Sequence, residues 1–218
     1  MCIFVFYDMI HMMSSKKQRT RTKILEAARR LLEQRGYYGA RVEEVAREAG
    51  ISRRTLYLHF KSKADLLVAT VQHLDETVGT PEILRQAHAA ATALASLDEW
   101  VAAYGKIEPQ IYNIAKVIYA ARQSDQAAEA SWQDRMAFRR KQVKQVIERL
   151  KKEGLLEPGW TVDRATDFVW ALLSVHTYEY LVIERGWSIK RFVSHLSAVL
   201  RRTIVKQPDD QRASDVRG

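Results

Sequence analysis

Residues 41–67 read RVEEVAREAGISRRTLYLHFKSKADLL, and this stretch decides the fold. Its first part has apolar residues spaced three and four apart, which predicts one buried face of a short helix. These residues are Val42, Val45, Ala46 and Ala49. Gly50 follows directly and suits the end of a helix, because glycine adopts a positive φ without steric cost. Since Ser52 is a good N-cap for a further helix, the pattern predicts two short helices joined by a tight turn.

The second helix is predicted from Arg53 to Phe60, and its two sides differ in character. Leu56 and Phe60 fall on the side expected to be buried. The opposite side combines arginine, tyrosine, threonine and leucine. This combination suits the major groove of DNA, because arginine can hydrogen-bond guanine while leucine or a threonine methyl group contacts thymine. With the flanking cations for phosphates, the predicted DNA-binding residues are Arg41, Ser52, Arg53, Arg54, Thr55, Tyr57, Leu58, His59, Lys61 and Lys63.

The same segment resembles the recognition region of the TetR family of bacterial transcriptional regulators. The resemblance covers roughly residues 20–70 and rests on Gly50, Ser52, Thr55, Leu56, Tyr57, His59, Phe60, Lys61, Ser62, Lys63, Asp65, Leu66 and Leu67. It implies an all-α protein with an N-terminal three-helix domain of the helix-turn-helix type and a larger helical domain for ligand binding and dimerisation. Arg41 departs from the family pattern, which often has Ser or Thr there, so no side-chain cap is expected for the helix that follows.

The charge distribution favours binding to a polyanion. The 218 residues carry a formal net charge of +9, and residues 14–67 contain 14 Lys/Arg against 6 Asp/Glu. Residues 68–218 are nearly balanced, with 21 against 19. A basic excess at one end is typical of a nucleic-acid-binding domain, although a solvated basic face gives the same count.

The sequence lacks the patterns that would indicate catalysis or a bound metal. There is no nucleophile elbow, P-loop or dinucleotide-binding glycine motif, so we do not expect an enzyme. The six histidines form no Cys/His cluster, and neither a metal site nor a cofactor is predicted. The single cysteine, Cys2, excludes an intramolecular disulfide and agrees with a reducing cytoplasm.

Length and an apolar content of 47% predict two domains. We expect a helix-turn-helix DNA-binding domain at residues 20–67 and a helical regulatory and dimerisation domain at residues 68–206. A disordered tail should follow at residues 207–218. Residues 1–19 are expected to be an N-terminal arm, disordered or lying partly ahead of the native start at Met12 or Met13. The apolar beginning of this arm lacks the features of a signal peptide and is too short to cross a membrane.

Several helix boundaries are predicted in the larger domain. Residues 96–99 read Ser-Leu-Asp-Glu, a capping box that predicts the start of a helix, and Pro109 predicts the start of another. A long helix is expected at about residues 125–153. The last two helices are expected at residues 162–185 and 188–205.

Aromatic residues that carry polar groups occur on four of these helices, so several could line one cavity for a lipophilic ligand. Aromatic residues at helical spacing equally form an ordinary core, and it is the family resemblance that favours a ligand site. The candidate ligand-binding residues are Trp100, Tyr104, Tyr112, Tyr119, Trp132, Trp170, His176 and Tyr180.

The last two predicted helices have more apolar surface than the rest of one chain needs to cover, which predicts an interface between two copies. In the resembling family these helices form a four-helix bundle with their copies. The predicted dimerisation residues are Phe168, Leu172, Phe192, Leu196 and Leu200.

These patterns, read with the resemblance, predict a cytoplasmic transcriptional regulator. We expect a homodimeric repressor that a small lipophilic effector releases from a palindromic operator in double-stranded DNA. The alternative is a structural or co-regulator protein that binds DNA and whose C-terminal domain binds a protein or no ligand. The sequence leaves open the operator, the regulated genes, the effector, and whether the protein represses or activates.

Overall fold

The computed structural model describes residues 2–207, with side chains from Ser15 onward. Within this range the regular secondary structure is helical, apart from one isolated β-bridge between Leu156 and Val205. The all-α prediction is therefore confirmed. Residues 208–218 of the predicted disordered tail lie outside the described residues. Within the described residues, no helix is both long enough and apolar enough to cross a membrane.

The chain divides into two compact units that differ from the predicted domains. The first contains the described residues up to Asp75 together with Asn113–Trp132. The second contains Glu76–Tyr112 and the described residues from Gln133 onward. The first unit is larger than the predicted DNA-binding domain because residues of the 113–132 segment hydrogen-bond to side chains near the end of the first helix.

Four helices begin the chain, and their bounds are α1 Cys2–Gly39, α2 Val42–Glu48, α3 Arg53–His59 and α4 Lys63–Val78. Helix α1 extends back to Cys2, whereas the sequence analysis expected residues 1–19 to be an arm that is disordered or lies partly ahead of the native start. The physical reason is that no proline or glycine interrupts the chain before Gly36, and the segment 16–23 contains several good helix formers. Gly36 has φ 69°, so the helix is broken at this glycine.

The helix-turn-helix arrangement is confirmed around Gly50, which has φ 70°. The predicted anchors Leu56 and Phe60 are 1% and 3% exposed. They belong to a core that includes Ile24 of α1 and Leu67 of α4, both fully buried. Helix α3 is thus fixed from one side, and residues on its other side are exposed.

Six further helices and one π-helical turn follow in the part of the chain that the structure describes. Their bounds are α5 Thr80–His88, α6 Ala93–Ala121, α7 Gln126–Lys152, α8 Val162–Leu172, α9 Val175–Tyr178, the π-helical turn Glu179–Glu184 and α10 Ile189–Ile204. The long helix α7 agrees closely with its prediction. Helices α6 and α7 contribute residues to both units.

Two predicted helix starts within α6 were wrong. Pro109 lies inside this helix rather than at the start of a new one. Its helix continues because Ile107, Tyr112 and Ile114 are buried on either side of the proline, and such burial can outweigh a proline cost of about 3 kcal/mol. The helix begins before the predicted capping box. Thr92 is its cap, and Ser96 is buried with its hydroxyl donating to the carbonyl of Ala87.

The helix predicted at residues 162–185 is also interrupted. Leu173 leaves the helical conformation with ψ 52°, and Ser174 caps the next segment by accepting from the backbone N–H of Thr177. The chain then passes through α9 into the π-helical turn. Because serine and threonine side chains bond readily to nearby backbone groups, they favour such breaks, which an apolar pattern does not reveal.

The predicted dimerisation surface needs correction for three of its five residues. Phe192 and Leu200 of α10 are fully buried within the single chain and Leu196 is 2% exposed, so this face belongs to the core of the second unit. Close packing explains the burial, since a Cβ at Gly105 of α6 would lie 2.3 Å from Val193 Cγ2 of α10. The other two predicted residues, Phe168 and Leu172 of α8, remain partly exposed.

Candidate nucleic-acid interface and buried polar cluster

Helix α3 presents a fixed and exposed face. The backbone N–H of Thr55 donates to Ser52 Oγ at 3.0 Å, so Ser52 is the predicted N-cap. Arg54 is exposed, Tyr57 is 41% exposed and Leu58 is 77% exposed. A large apolar side chain that projects beside an arginine and a tyrosine suits contacts with base edges, where leucine meets a thymine methyl group.

The polar residues at the start of α3 are already engaged with the protein. Arg53 Nη1 lies 2.9 Å from Glu43 Oε1, and the guanidinium lies 5.5 Å from the centre of the Tyr57 ring. Hydrogen bonding to Tyr57 and the charge of Glu43 raise the pKa of Arg53. The hydroxyls of Ser52 and Thr55 lie 2.9 Å apart. These contacts orient Tyr57 and the helix start, so Arg53, Ser52 and Thr55 hold the exposed face in place.

The cations that flank α3 lie in different environments. Lys61 and Arg41 are exposed, and Arg41 makes no side-chain cap for α2, as predicted. Lys63 Nζ instead lies 4.7 Å from the centre of the Tyr37 ring. Partial burial lowers the pKa of Lys63, and the charge of Glu43 opposes this effect. Lys61 and Arg41 are therefore the more accessible phosphate-binding candidates.

Two cations of α1 lie beside the end of α3, and the sequence analysis did not single them out. Arg21 lies 4.5 Å from the centre of the Phe60 ring, and its Nη1 donates to the carbonyl of His59 at 3.5 Å. Burial lowers the pKa of His59, and the charges of Lys17 and Arg21 lower it further. The basic run at residues 16–23 was the sequence feature that could have indicated Lys17 and Arg21. The position of this run relative to α3 depends on the fold.

The predicted ligand-binding residues are divided between the two units. Tyr119 and Trp132 belong to the first unit, where their ring centres lie 5.0 Å apart and the Arg122 guanidinium lies 4.1 Å from the Tyr119 ring. Tyr180 is 59% exposed. The remaining five are in the second unit and are buried or partly buried; they are Trp100, Tyr104, Tyr112, Trp170 and His176.

Within the second unit, aromatic residues lie close to three ionisable side chains, which come from α6, α7 and the π-helical turn. We call this group the Glu108 cluster, and its residues are Tyr104, Glu108, Tyr112, Arg139, Tyr178, Glu179 and Phe192. Ring centres of successive aromatic pairs lie 5.3 to 6.0 Å apart. Sequence reasoning found two of these residues as ligand candidates and missed the charged ones. The available signal was Glu108, an acidic residue four positions from both Tyr104 and Tyr112.

Hydrogen bonds and burial set the chemistry of the Glu108 cluster. The Tyr104 hydroxyl donates to the carbonyl of Ser174 at 2.7 Å, and the Tyr112 hydroxyl donates to Glu179 Oε1 at 2.9 Å. Glu108 is 4% exposed. Its burial raises the pKa of the carboxyl group, while the nearby guanidinium groups of Arg139 and Arg135 act in the opposite direction.

The described residues contain no group of three or more His, Cys, Asp or Glu side chains placed to hold a metal ion. The Glu108 cluster combines aromatic side chains with a few polar groups, a composition that organic ligand sites share.

The fold and the exposed face of α3 define a class: all-helical proteins with an N-terminal helix-turn-helix domain. Residues 24–70 match the sequence profile described as bacterial regulatory proteins, tetR family. The DNA-binding region of the chain is therefore similar to that of the TetR family. The HTH-type transcriptional regulator AcrR of Shigella flexneri is 35% identical over 82 residues, which are 38% of each chain. The chain therefore matches this curated relative over little more than a third of its length.

Solved structures resemble nearly the whole described chain. A transcriptional regulator from Saccharomonospora viridis in complex with choline has a TM-score of 0.73 at 22% identity, covering 86% of this chain and 98% of that one. NalD of Pseudomonas aeruginosa, the secondary repressor of the MexAB-OprM multidrug efflux pump, has a TM-score of 0.69 at 22% identity, covering 88% and 99%. FadR of Bacillus subtilis in complex with stearoyl-CoA has a TM-score of 0.68 at 20% identity, covering 82% and 96%. At these identities the likeness establishes the fold.

Proposed function

We propose that this protein is a cytoplasmic transcriptional regulator that binds a palindromic operator in double-stranded DNA as a homodimer. The observation that carries the proposal is the exposed face of α3, where Arg54, Tyr57 and Leu58 project from a capped and anchored helix. Arg54 supplies a bidentate donor for guanine, and Leu58 supplies an apolar contact for thymine. The flanking cations supply the phosphate contacts that position the helix in the groove.

Repression is the direction we favour. A homodimer on a palindrome occupies two successive major grooves, and a protein bound in this way at a promoter competes with the transcription machinery. NalD, which shares the fold, is a repressor.

Sequence-specific DNA binding can be tested with the full chain and fragments of the genome that encodes it. We expect selection by affinity to enrich palindromic sites that bind more tightly than random DNA, with an affinity that falls steeply as salt rises. Equal affinity for enriched and random fragments would exclude sequence-specific regulation by this protein. A reporter gene placed behind an enriched site should be less active when the protein is present, and greater activity would indicate an activator.

A small lipophilic effector that releases the operator completes the proposal. The Glu108 cluster supports it, because aromatic walls around a few polar groups suit such ligands. Two proteins of the same fold have been solved with small molecules, one with choline and one with stearoyl-CoA. We expect ligands that raise the melting temperature to weaken operator binding. If stabilising ligands leave operator affinity unchanged, the alternative of a structural or co-regulator protein replaces effector release.

A further inference from the structure

We propose that the Glu108 cluster recognises the carboxylate of a lipophilic acid, with Arg139 as the residue that binds the acid group. This inference rests on the proposed effector function and names the chemical class of the effector. Arg139 lies on α7, and its guanidinium is 5.1 Å from the centre of the Tyr104 ring. Arg139 Nη2 is buried and has no hydrogen-bond partner among the described residues.

A buried guanidinium N–H without a partner calls for an explanation, because buried polar groups in folded proteins nearly always have one. The penalty for leaving such a donor unsatisfied is larger when the group is charged. A planar guanidinium binds a carboxylate through two parallel hydrogen bonds, so a carboxylate is the ligand group that fits it best.

The acidic residues of the cluster do not supply the missing hydrogen bond to Arg139 Nη2. Glu179 Oε1 accepts a hydrogen bond from the Tyr112 hydroxyl. Glu108 lies within electrostatic reach of Arg139, but burial opposes its ionisation. The Tyr104 hydroxyl, which neighbours Glu108, donates a hydrogen bond to the carbonyl of Ser174. Neither carboxyl group hydrogen-bonds to Arg139 Nη2, which is buried without a partner among the described residues.

The aromatic residues define the rest of the ligand. The Tyr104 and Phe192 ring centres lie 6.0 Å apart, those of Tyr178 and Phe192 lie 5.9 Å apart, and those of Tyr112 and Tyr178 lie 5.3 Å apart. Such rings favour an alkyl or aryl body next to the acid group. A cationic ligand would also contact these rings and a carboxylate, but it would place like charges beside Arg139 and leave its N–H unpaired.

Matched probes can separate these ligand classes. We would titrate the full chain by calorimetry with decanoate, decanol and decyltrimethylammonium, and with phenylbutyrate, phenylbutanol and phenylbutylamine. Within at least one set, the acid should bind about tenfold or more tightly than the alcohol, because the charge-assisted hydrogen bonds to Arg139 are made only by the acid. The cationic member should bind most weakly.

Two variants test whether Arg139 is responsible for the preference for acid over alcohol. Arg139→Met should remove the preference for acid over alcohol while alcohol binding persists, since the apolar walls remain. Lys141→Met should preserve the preference, because Lys141 is an exposed cation of the same helix that lies outside the cluster. Circular dichroism would verify folding of both variants. If Arg139→Met does not fold, the comparison of acid, alcohol and cationic probes on the unaltered chain still tests the proposal.

Three results would overturn the assignment: equal binding of acid and alcohol, preferred binding of the cation, or no binding of any probe. The last would mean that solvent water satisfies the guanidinium. Operator titration with the bound acid is a separate measurement. An acid that binds through Arg139 and leaves operator affinity unchanged would support the ligand class and reject effector release.

Discussion

The hydroxyl of Tyr37 donates a hydrogen bond of 2.6 Å to Asp125 Oδ2, joining the end of α1 to the start of α7 within the first unit. Asp125 Oδ1 also accepts the backbone N–H groups of Ala127 and Ala128, so Asp125 caps α7. The ring of Tyr37 lies under Lys63 at the start of α4. One tyrosine therefore contacts both a helix of the DNA-binding region and the beginning of α7.

The first prediction concerns this hydrogen bond. Tyr37→Phe should lower the free energy of unfolding at neutral pH by about 1–3 kcal/mol, the usual range for a hydrogen bond to a charged group. The bond to Tyr37 is the largest cause of the lowered pKa of Asp125. A depressed carboxyl pKa stabilises the fold above the unfolded pKa, and this stability is lost as pH falls through the folded pKa.

The difference between Tyr37→Phe and the unaltered chain should therefore shrink in acid, as measured by urea denaturation across this pH range. Tyr38→Phe is the matched control. Tyr38 is 67% exposed and its hydroxyl contacts Ser124, so its removal should have a smaller effect. An equal loss of unfolding free energy in both variants would show that the Tyr37–Asp125 hydrogen bond contributes no more to stability than the contact of the exposed Tyr38 hydroxyl.

The second prediction concerns base reading. Arg54→Ala should cost about 1–3 kcal/mol of operator affinity and relax the preference at one base pair of each half-site, because a bidentate contact to guanine is lost. Lys61→Ala should weaken operator and random DNA alike, since an exposed lysine contacts phosphate. Titration of both variants with operator and random duplexes measures these two expected effects. An Arg54→Ala loss of equal size on both duplexes would argue against base reading by Arg54.

The third prediction concerns pH. Burial lowers the pKa of His59 in the free protein, with further lowering by Lys17 and Arg21, from an ordinary value of 6.5. A DNA phosphate beside His59 should raise this pKa, so binding takes up a proton between the two pKa values and affinity should rise as pH falls through that interval. Operator titrations at several pH values should show this slope, and His59→Gln should reduce it. A slope unchanged in His59→Gln would place the titrating group elsewhere.

The fourth prediction concerns the dimer. Phe168 and Leu172 of α8 stay partly exposed, and Tyr180 and Ile183 of the following π-helical turn are 59% and 52% exposed. We expect Ile183→Glu to give monomers by sedimentation and to weaken operator binding, because a charge is placed in an apolar interface. Phe138→Glu on α7 is the control, since Phe138 is 54% exposed. Dissociation caused by Phe138→Glu alone would locate the interface on α7.

The fifth prediction concerns the packing of α6 on α10. Gly105→Ala should destabilise the protein by about 1–3 kcal/mol, as is usual for overpacking, because its Cβ would lie 2.3 Å from Val193 Cγ2. Gly159→Ala is a control with nothing within 4 Å of the added carbon. The double variant Gly105→Ala with Val193→Ala should recover much of the loss in thermal unfolding. No recovery would indicate that the cost comes from the backbone rather than from the contact with Val193.

Local patterns in the sequence were sufficient to predict the recognition region. Gly50, Ser52, Leu56 and Phe60 lie within eleven residues of one another, and they take the turn, cap and anchor positions that were expected of them. Caps, turns and helix faces depend on neighbours a few residues away, so their physical causes are contained in a short stretch of chain. The all-α class follows from the same kind of information repeated along the chain.

Contacts between distant residues were decided by the tertiary structure. Tyr37 and Asp125 are 88 positions apart, and no periodicity relates them. The face of α10 with Phe192 and Leu200 was expected between two chains but is buried in one, because amphipathicity predicts that a face is covered without specifying which surface covers it. Likewise, the sequence placed Tyr104 and Tyr112 among possible ligand contacts, and the packing of α6 with α7 brought Arg139 to the Tyr104 ring. Which distant segments pack against each other depends on side-chain shape and on loop closure over the whole chain. Local sequence patterns do not contain this information.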